Sequence, residues 1–121
     1  MLILRDCMSS PVISVPENAT VQEAAQVMAD KSISSIFVQK QDDLQGIFTA
    51  TDLVKRVVAK GLDPKTTPAL SVATSPILTI DQHLTPEEAN EKMLRHKVKR
   101  IGVTQGKKIV GIMSTKDITR L

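Results

Sequence analysis

Apolar positions along this chain fall into short bursts of two periods. Val12–Val15 and Ile77–Ile80 are mainly apolar four-residue runs just after a proline, which predicts two short strands. Val21, Ala24, Ala25 and Met28 then recur at three- and four-residue spacing. Ala89 and Met93 do the same farther on, so each half of the chain predicts one amphipathic helix. Each helix carries a start signal. Thr20-Val21-Gln22-Glu23 is a capping box, and Thr85-Pro86-Glu87-Glu88 repeats it with proline at the favoured first position. Two β-rich segments follow in each half: "IFV" and "LQGIFT" around Asp42-Asp43, then "RIGV" and "IVGIMS" around Gly106-Lys107-Lys108. Both pairs read as hairpins. A second helix, "LVKRVVAK" or "ITRL", is expected just after the Asp that closes each pair.

The order is therefore β-α-β-β-α, twice, an α+β (α/β) pattern. A shift of 65 residues superimposes the halves without a gap from Met8/Ala73 to Arg56/Leu121. About 11 of roughly 49 aligned pairs are identical, against about 3 by chance. Each half is one supersecondary unit that buries its apolar face poorly by itself, so the two are expected to close on each other with pseudo-twofold symmetry. The expected division is 1–60 for the first repeat with its N-terminal lead, 61–72 for a linker rich in Gly, Pro and Thr, and 73–121 for the second repeat.

The clearest repeat is a phrase: Gly46-Ile47-Phe48-Thr49-Ala50-Thr51-Asp52 against Gly111-Ile112-Met113-Ser114-Thr115-Lys116-Asp117. A hydroxyl and a carboxylate stand at a strand-to-helix turn, beside free N–H groups that carry partial positive charge. Such a turn can hold a phosphate, and its carboxylate can accept both hydrogen bonds of a ribose diol. Thr-x-x-Asp is also a good N-capping pattern, and the same Asp can serve both purposes.

Composition narrows the choice. The 121 residues are 41% hydrophobic and 24% charged, a normal globular balance. Only Phe37 and Phe48 are aromatic, so the core rests on aliphatic side chains and base-stacking platforms are lacking. No apolar run approaches the roughly 20 residues of a membrane helix, and no secretory signal is legible, so a cytoplasmic protein without a membrane segment is expected. Cys7 is the single cysteine, which excludes an internal disulfide. Net charge is +3, with −2 over residues 1–64 and +5 over 65–121; the excess gathers at Lys92, Arg95, Lys97, Lys99 and Arg100. That cluster suits a phosphate-bearing ligand or a solvated helix end. His83 and His96 show no metal-ligand spacing, and no P-loop or dinucleotide fingerprint is present. Neither a catalytic residue nor a metal site is assigned.

Pro11, Val12, Val15, Thr20, Ala24, Met28, Ile36, Val38, Gly46, Ile47, Thr49 and Asp52, echoed by Pro76, Ile77, Ile80, Thr85, Ala89, Met93, Ile101, Val103, Gly111, Ile112, Ser114 and Asp117, resemble a stand-alone tandem pair of cystathionine-β-synthase (CBS) domains over residues 8–121. The resemblance implies two repeats packed sheet to sheet, with two clefts for adenosine compounds: AMP, ADP, ATP, S-adenosylmethionine, sometimes NAD or a dinucleotide messenger. It implies a regulatory sensor needing no cofactor and doing no catalysis, a homodimer, and an enzyme or transporter as the regulated partner. In one implied site Thr49 and Asp52 take ribose and phosphate, while Ile77, Thr79, Val98 and Lys99 line the base, with Ser75 close by. In the other, Ser114 and Asp117 take ribose and phosphate; Val12, Ser14, Ile33 and Ser34 line the base, with Ser10 close by. Lys99 and Arg100 match the family's phosphate-directed basic position, where the first repeat has Ser34 and Ser35. Gly102 departs from a proline that is common there, and it aligns with Phe37, which reads as a core or dimer contact. Two other readings stay open: a structural or oligomerisation module in which Asp52 and Asp117 are only caps, and, least favoured, a nucleic-acid-binding regulator using the basic second half.

Overall fold

The computed structural model describes residues 1–121. Its elements in chain order are α1 (Leu4–Cys7), β1 (Ser14–Pro16), α2 (Val21–Lys31), β2 (Ser35–Lys40), β3 (Asp43–Thr49), α3 (Ala50–Asp52, continued by the wider π-turns of Leu53–Val58), α4 (Ala69–Val72), β4 (Thr79–Asp81), α5 (Pro86–His96), β5 (Arg100–Gln105), β6 (Lys108–Ser114) and α6 (Thr115–Thr119). The expected α+β order is present twice. Two short helices, α1 and α4, lie in segments whose composition gave no periodic signal.

The elements gather into two compact units. One is Ile13–Ile77, and the other joins Met1–Val12 to Leu78–Leu121. Spatial units and sequence repeats thus cut the chain differently. The lead before the first repeat belongs with the second repeat, and the connector after the first repeat belongs with the first. Backbone bridges explain this. In the first unit Ile47 and Thr74 exchange N–H···O bonds of 3.0 and 2.8 Å. In the second, Ser9 and Ile112 do the same at 3.0 Å each.

In unit Ile13–Ile77, β1 runs parallel to β2 and β2 antiparallel to β3, with α2 as the crossover. The apolar face of α2 (Val21, Ala24, Met28) packs on Ile36, Val38 and Phe48 of the sheet, closed by Val57. Burying side chains of this size stabilises by roughly 1.5–3 kcal/mol each, enough to fix the register. β1 begins two residues later than the apolar run suggests, because Val12 lies in the other unit and Ile13 offers β2 a single bond, from Phe37 N–H at 3.0 Å. Phe37 is fully buried, as a core role requires.

The second unit repeats this plan with β4, β5 and β6, and with Ala89 and Met93 packed on Ile101, Val103 and Met113. Leu4 of α1 completes the cluster and is fully buried. The lead is tied down by Leu4 N–H to Leu84 O and Arg5 N–H to Gln82 O.

Both hairpins close through two-residue loops. The residues are Gln41-Asp42 and Gly106-Lys107, so Asp43 and Lys108 already belong to strands. Gln41 and Gly106 both adopt positive φ, at 57° and 63°.

Candidate functional site

The two phrases end in the same local structure. Thr49 leaves β3 with extended dihedrals and caps α3; its Oγ1 accepts from Asp52 N–H at 3.1 Å. The Asp52 carboxylate reaches back, and its Oδ2 accepts from Thr49 N–H at 2.9 Å and from the Thr49 hydroxyl at 3.0 Å. Ser114 and Asp117 repeat this: Ser114 Oγ accepts from Asp117 N–H at 3.1 Å, and Asp117 Oδ2 accepts from Ser114 N–H at 2.9 Å. Both are closed capping boxes, which require a hydroxyl at the cap and a carboxylate three residues on. The helices therefore start at Ala50 and Thr115, before each Asp and not after it.

The two carboxylates differ in what else they touch. Asp52 is buried, and its Oδ1 lies 3.5 Å from Arg56 Nε one turn along the helix. Arg56 Nη1 also donates to the carbonyls of Val72 and Ala73, at 3.4 and 3.3 Å. Asp117 is half-buried and has no ion pair; Leu121 stands at the position equivalent to Arg56.

The other expected residues sort by unit. Ser14, Ile33, Ser34, Ser75 and Ile77 share the unit of Thr49 and Asp52, while Ser10, Val12, Thr79, Val98, Lys99 and Arg100 share that of Ser114 and Asp117. Ala50 N–H donates to Ser34 O at 2.9 Å, which sets Ser34 beside the start of α3. Thr115 N–H to Lys99 O, at 3.0 Å, sets Lys99 beside α6. Ser35 and Arg100 are the strand partners of Thr49 and Ser114. Ile33 and Val98 are half-buried against the cores and contribute apolar surface. The Ser75 hydroxyl donates to Gln45 O at 2.8 Å, and the Thr79 carbonyl accepts from Lys92 Nζ at 2.6 Å.

Arg56 lies outside the expected site residues. Arg56 was legible as an Asp-x-x-x-Arg pair on one helix face. Gly46 and Gly111 are where the bridging segments cross: a Cβ on Gly46 would lie 3.2 Å from Thr74 O, and one on Gly111 would lie 3.0 Å from Ser9 O. A wide depression lined by Pro16, Glu17, Asn18, Gln39 and Gln41 sits at the hairpin end of β2, away from Thr49, and offers no comparable chemistry.

Burial raises the Cys7 thiol above its usual range, helped by the negative charges of Asp6, Asp117 and Glu87. Asp81 is lowered by the His83 backbone N–H and then by its ring, and Glu23 by the backbone and hydroxyl of Thr20. No three His, Cys, Asp or Glu side chains group as a metal site, and no helix is long and apolar enough to cross a membrane.

A family model for the CBS domain matches residues 4–59 and 69–121. Hypoxic response protein 1 of Mycobacterium tuberculosis is 35% identical over 121 residues, covering 99% of this chain and 85% of the relative. Among solved structures, Hypoxic Response Protein I with two coordinated zinc ions superposes with a TM-score of 0.83 at 33% identity, over 98% of both chains. The hexameric CBS-CP12 protein from bloom-forming cyanobacteria gives 0.90 at 30% identity, over 98% of this chain and 70% of that one. CBS domain protein PAE2072 from Pyrobaculum aerophilum, complexed with AMP, gives 0.85 at 28% identity, over 96% and 89%.

Proposed function

This chain belongs to the CBS domain family, and on that premise we propose that it is a regulatory module that binds an adenosine nucleotide and changes the behaviour of a partner without catalysing a reaction. The observation that carries this reading is the doubled capping box, which holds a carboxylate in one orientation at Asp52 and again at Asp117. A helix needs a cap, but it does not need the same Gly-Ile-x-(Thr/Ser)-x-x-Asp phrase in both copies of a repeat offset by 65 residues. The AMP bound by PAE2072, at 28% identity, supports the ligand class.

In this reading Asp52 and Asp117 receive ribose hydroxyls, which a fixed carboxylate accepts as charge-assisted bonds. Thr49 and Ser114 orient them. Lys99 and Arg100 supply positive charge for phosphate, Arg100 in the bidentate manner a guanidinium allows. Ser10, Val12, Ser14, Ile33, Ser34, Ser75, Ile77, Thr79 and Val98 form the surroundings of the base. The module works in the cytoplasm as a homodimer, and the regulated partner is an enzyme or a transporter.

A thermal-shift panel of AMP, ADP, ATP, S-adenosylmethionine, NAD, cyclic di-AMP and GTP tests this, with Asp52→Ala and Asp117→Ala beside wild type. A ligand at about 100 times its dissociation constant stabilises by roughly 2.7 kcal/mol. For a chain of this length that is roughly 10 °C. A second reading, a structural module, is favoured by one fact: both capping boxes are closed by protein groups alone, as a cap requires. It predicts flat curves for every compound.

A further inference from the structure

The two phrase carboxylates are not equivalent acceptors, and the difference lies in one side chain. An ionised carboxylate offers about four lone-pair directions. Asp52 already accepts two hydrogen bonds on Oδ2, from Thr49 N–H and the Thr49 hydroxyl, and its Oδ1 faces the Arg56 guanidinium across an ion pair of 3.5 Å. Asp117 has one, Ser114 N–H. A cis-diol brings two hydroxyl donors. Asp117 can take both without giving up a protein contact. At Asp52 the open oxygen is Oδ1, and hydroxyls arriving there must share it with the Arg56 guanidinium.

Arg56 is held in place from its other side as well. Its Nη1 faces the Val72 and Ala73 carbonyls, so one guanidinium ties the α3 carboxylate to the end of α4 in the same unit. The second repeat lacks this tie, because Leu121 stands where Arg56 does and has no charge.

We infer that Arg56 makes the Asp52 end a weaker or secondary receptor for a ribose and leaves Asp117 as the primary one. The inference rests on the adenosine-nucleotide reading above and adds an order of occupancy to it. Arg56 is a positioning residue: it acts by standing beside Asp52 Oδ1 as its ion partner. Its pair is half-exposed on the Arg side, so water screens it and its effect is modest. Removing it corresponds to a gain of about fivefold in affinity at that end.

Calorimetric titration of AMP tests this on wild type, Asp117→Asn, Asp52→Asn, Arg56→Leu and the double variant Asp117→Asn with Arg56→Leu. The leucine copies the second repeat. Asp→Asn removes the charge and keeps an oxygen for the cap, and a thermal melt of each protein separates lost binding from lost fold. The expected result is that Asp117→Asn removes the tighter binding while Asp52→Asn keeps it, and that the double variant binds AMP about fivefold more tightly than Asp117→Asn alone. Tighter binding that is lost with Asp52→Asn but survives Asp117→Asn overturns the inference. So does a double variant no tighter, or weaker, than Asp117→Asn. If none of the five folded proteins binds AMP or any other adenosine compound, the nucleotide reading fails and the inference falls with it.

Discussion

Ser9 and Ile112 exchange both backbone hydrogen bonds, each at 3.0 Å, although they lie near opposite ends of the chain. Thr74 and Ile47, their counterparts at the 65-residue offset, do the same at 2.8 and 3.0 Å. Each pair holds an incoming segment across the strand that leads into the helix carrying a candidate carboxylate. Each crossing passes over the glycine of the phrase. An added Cβ at Gly111 would lie 2.9 Å from Met8 Cγ as well as 3.0 Å from Ser9 O, whereas at Gly46 the nearest atoms are 3.2 Å away. Gly111→Ala is therefore expected to cost about 1–3 kcal/mol by overpacking, and Gly46→Ala less. Urea unfolding of the two variants checks the order; equal losses would mean that the flexible Met8 side chain moves aside freely.

The capping boxes make a separate stability prediction. Thr49→Ala and Ser114→Ala each remove the hydroxyl that accepts the N3 amide, at a typical cost of about 1 kcal/mol. Thr49→Ala also takes one donor from a buried Asp52, so it should be the costlier of the two. Thermal melts without ligand measure this directly.

Gln41 and Gly106 occupy the same left-handed loop position, but only one of them is glycine. A side chain there costs roughly 1–2 kcal/mol, partly offset by glycine's larger entropy loss on folding. Gln41→Gly should stabilise by about 0.5–1 kcal/mol. The Gln39 Nε2 bond to the residue-41 carbonyl, 2.8 Å long, is to the backbone and survives the change. A melting temperature that fell would show that the loop relaxes to suit glutamine.

Cys7 sets an alkaline limit. Its folded-state pKa is raised, chiefly by burial, so the folded state prefers the neutral thiol. That preference contributes fully below the unfolded thiol's pKa and is lost as pH rises through the folded value. Stability should decline on the alkaline side of the ordinary thiol range, and Cys7→Ala should flatten that part of the profile. At pH 8, alkylation by iodoacetamide should be slower for the native protein than for the urea-unfolded chain.

Much of this was written in the sequence because its causes are local. The Thr20–Glu23 box, the one-way Thr85 cap on Glu88 N–H, the Val21-Ala24-Met28 stripe and the Thr49–Asp52 and Ser114–Asp117 pairs each involve residues within a turn or two of one another, so spacing alone announces them. The offset of 65 residues doubled each weak signal. The starts of α3 and α6 were misjudged by a few residues, since Asp is the third helical residue of a capping box and Thr or Ser is its cap.

Tertiary structure decided what depends on distant partners. Nothing near Gly46 or Gly111 in sequence says that Thr74 or Ser9 will cross them. No pattern within residues 1–12 assigns that segment to the unit of residues 78–121. Asp52 and Asp117 are the same letter in the same phrase; Arg56 pairs with the first across one helical turn, but the Val72 and Ala73 carbonyls that hold its guanidinium come from a segment sixteen and seventeen residues on. Local sequence sets dihedrals and caps through bonds a few residues long. What holds the Arg56 guanidinium from its far side depends on which segment packing brings beside it.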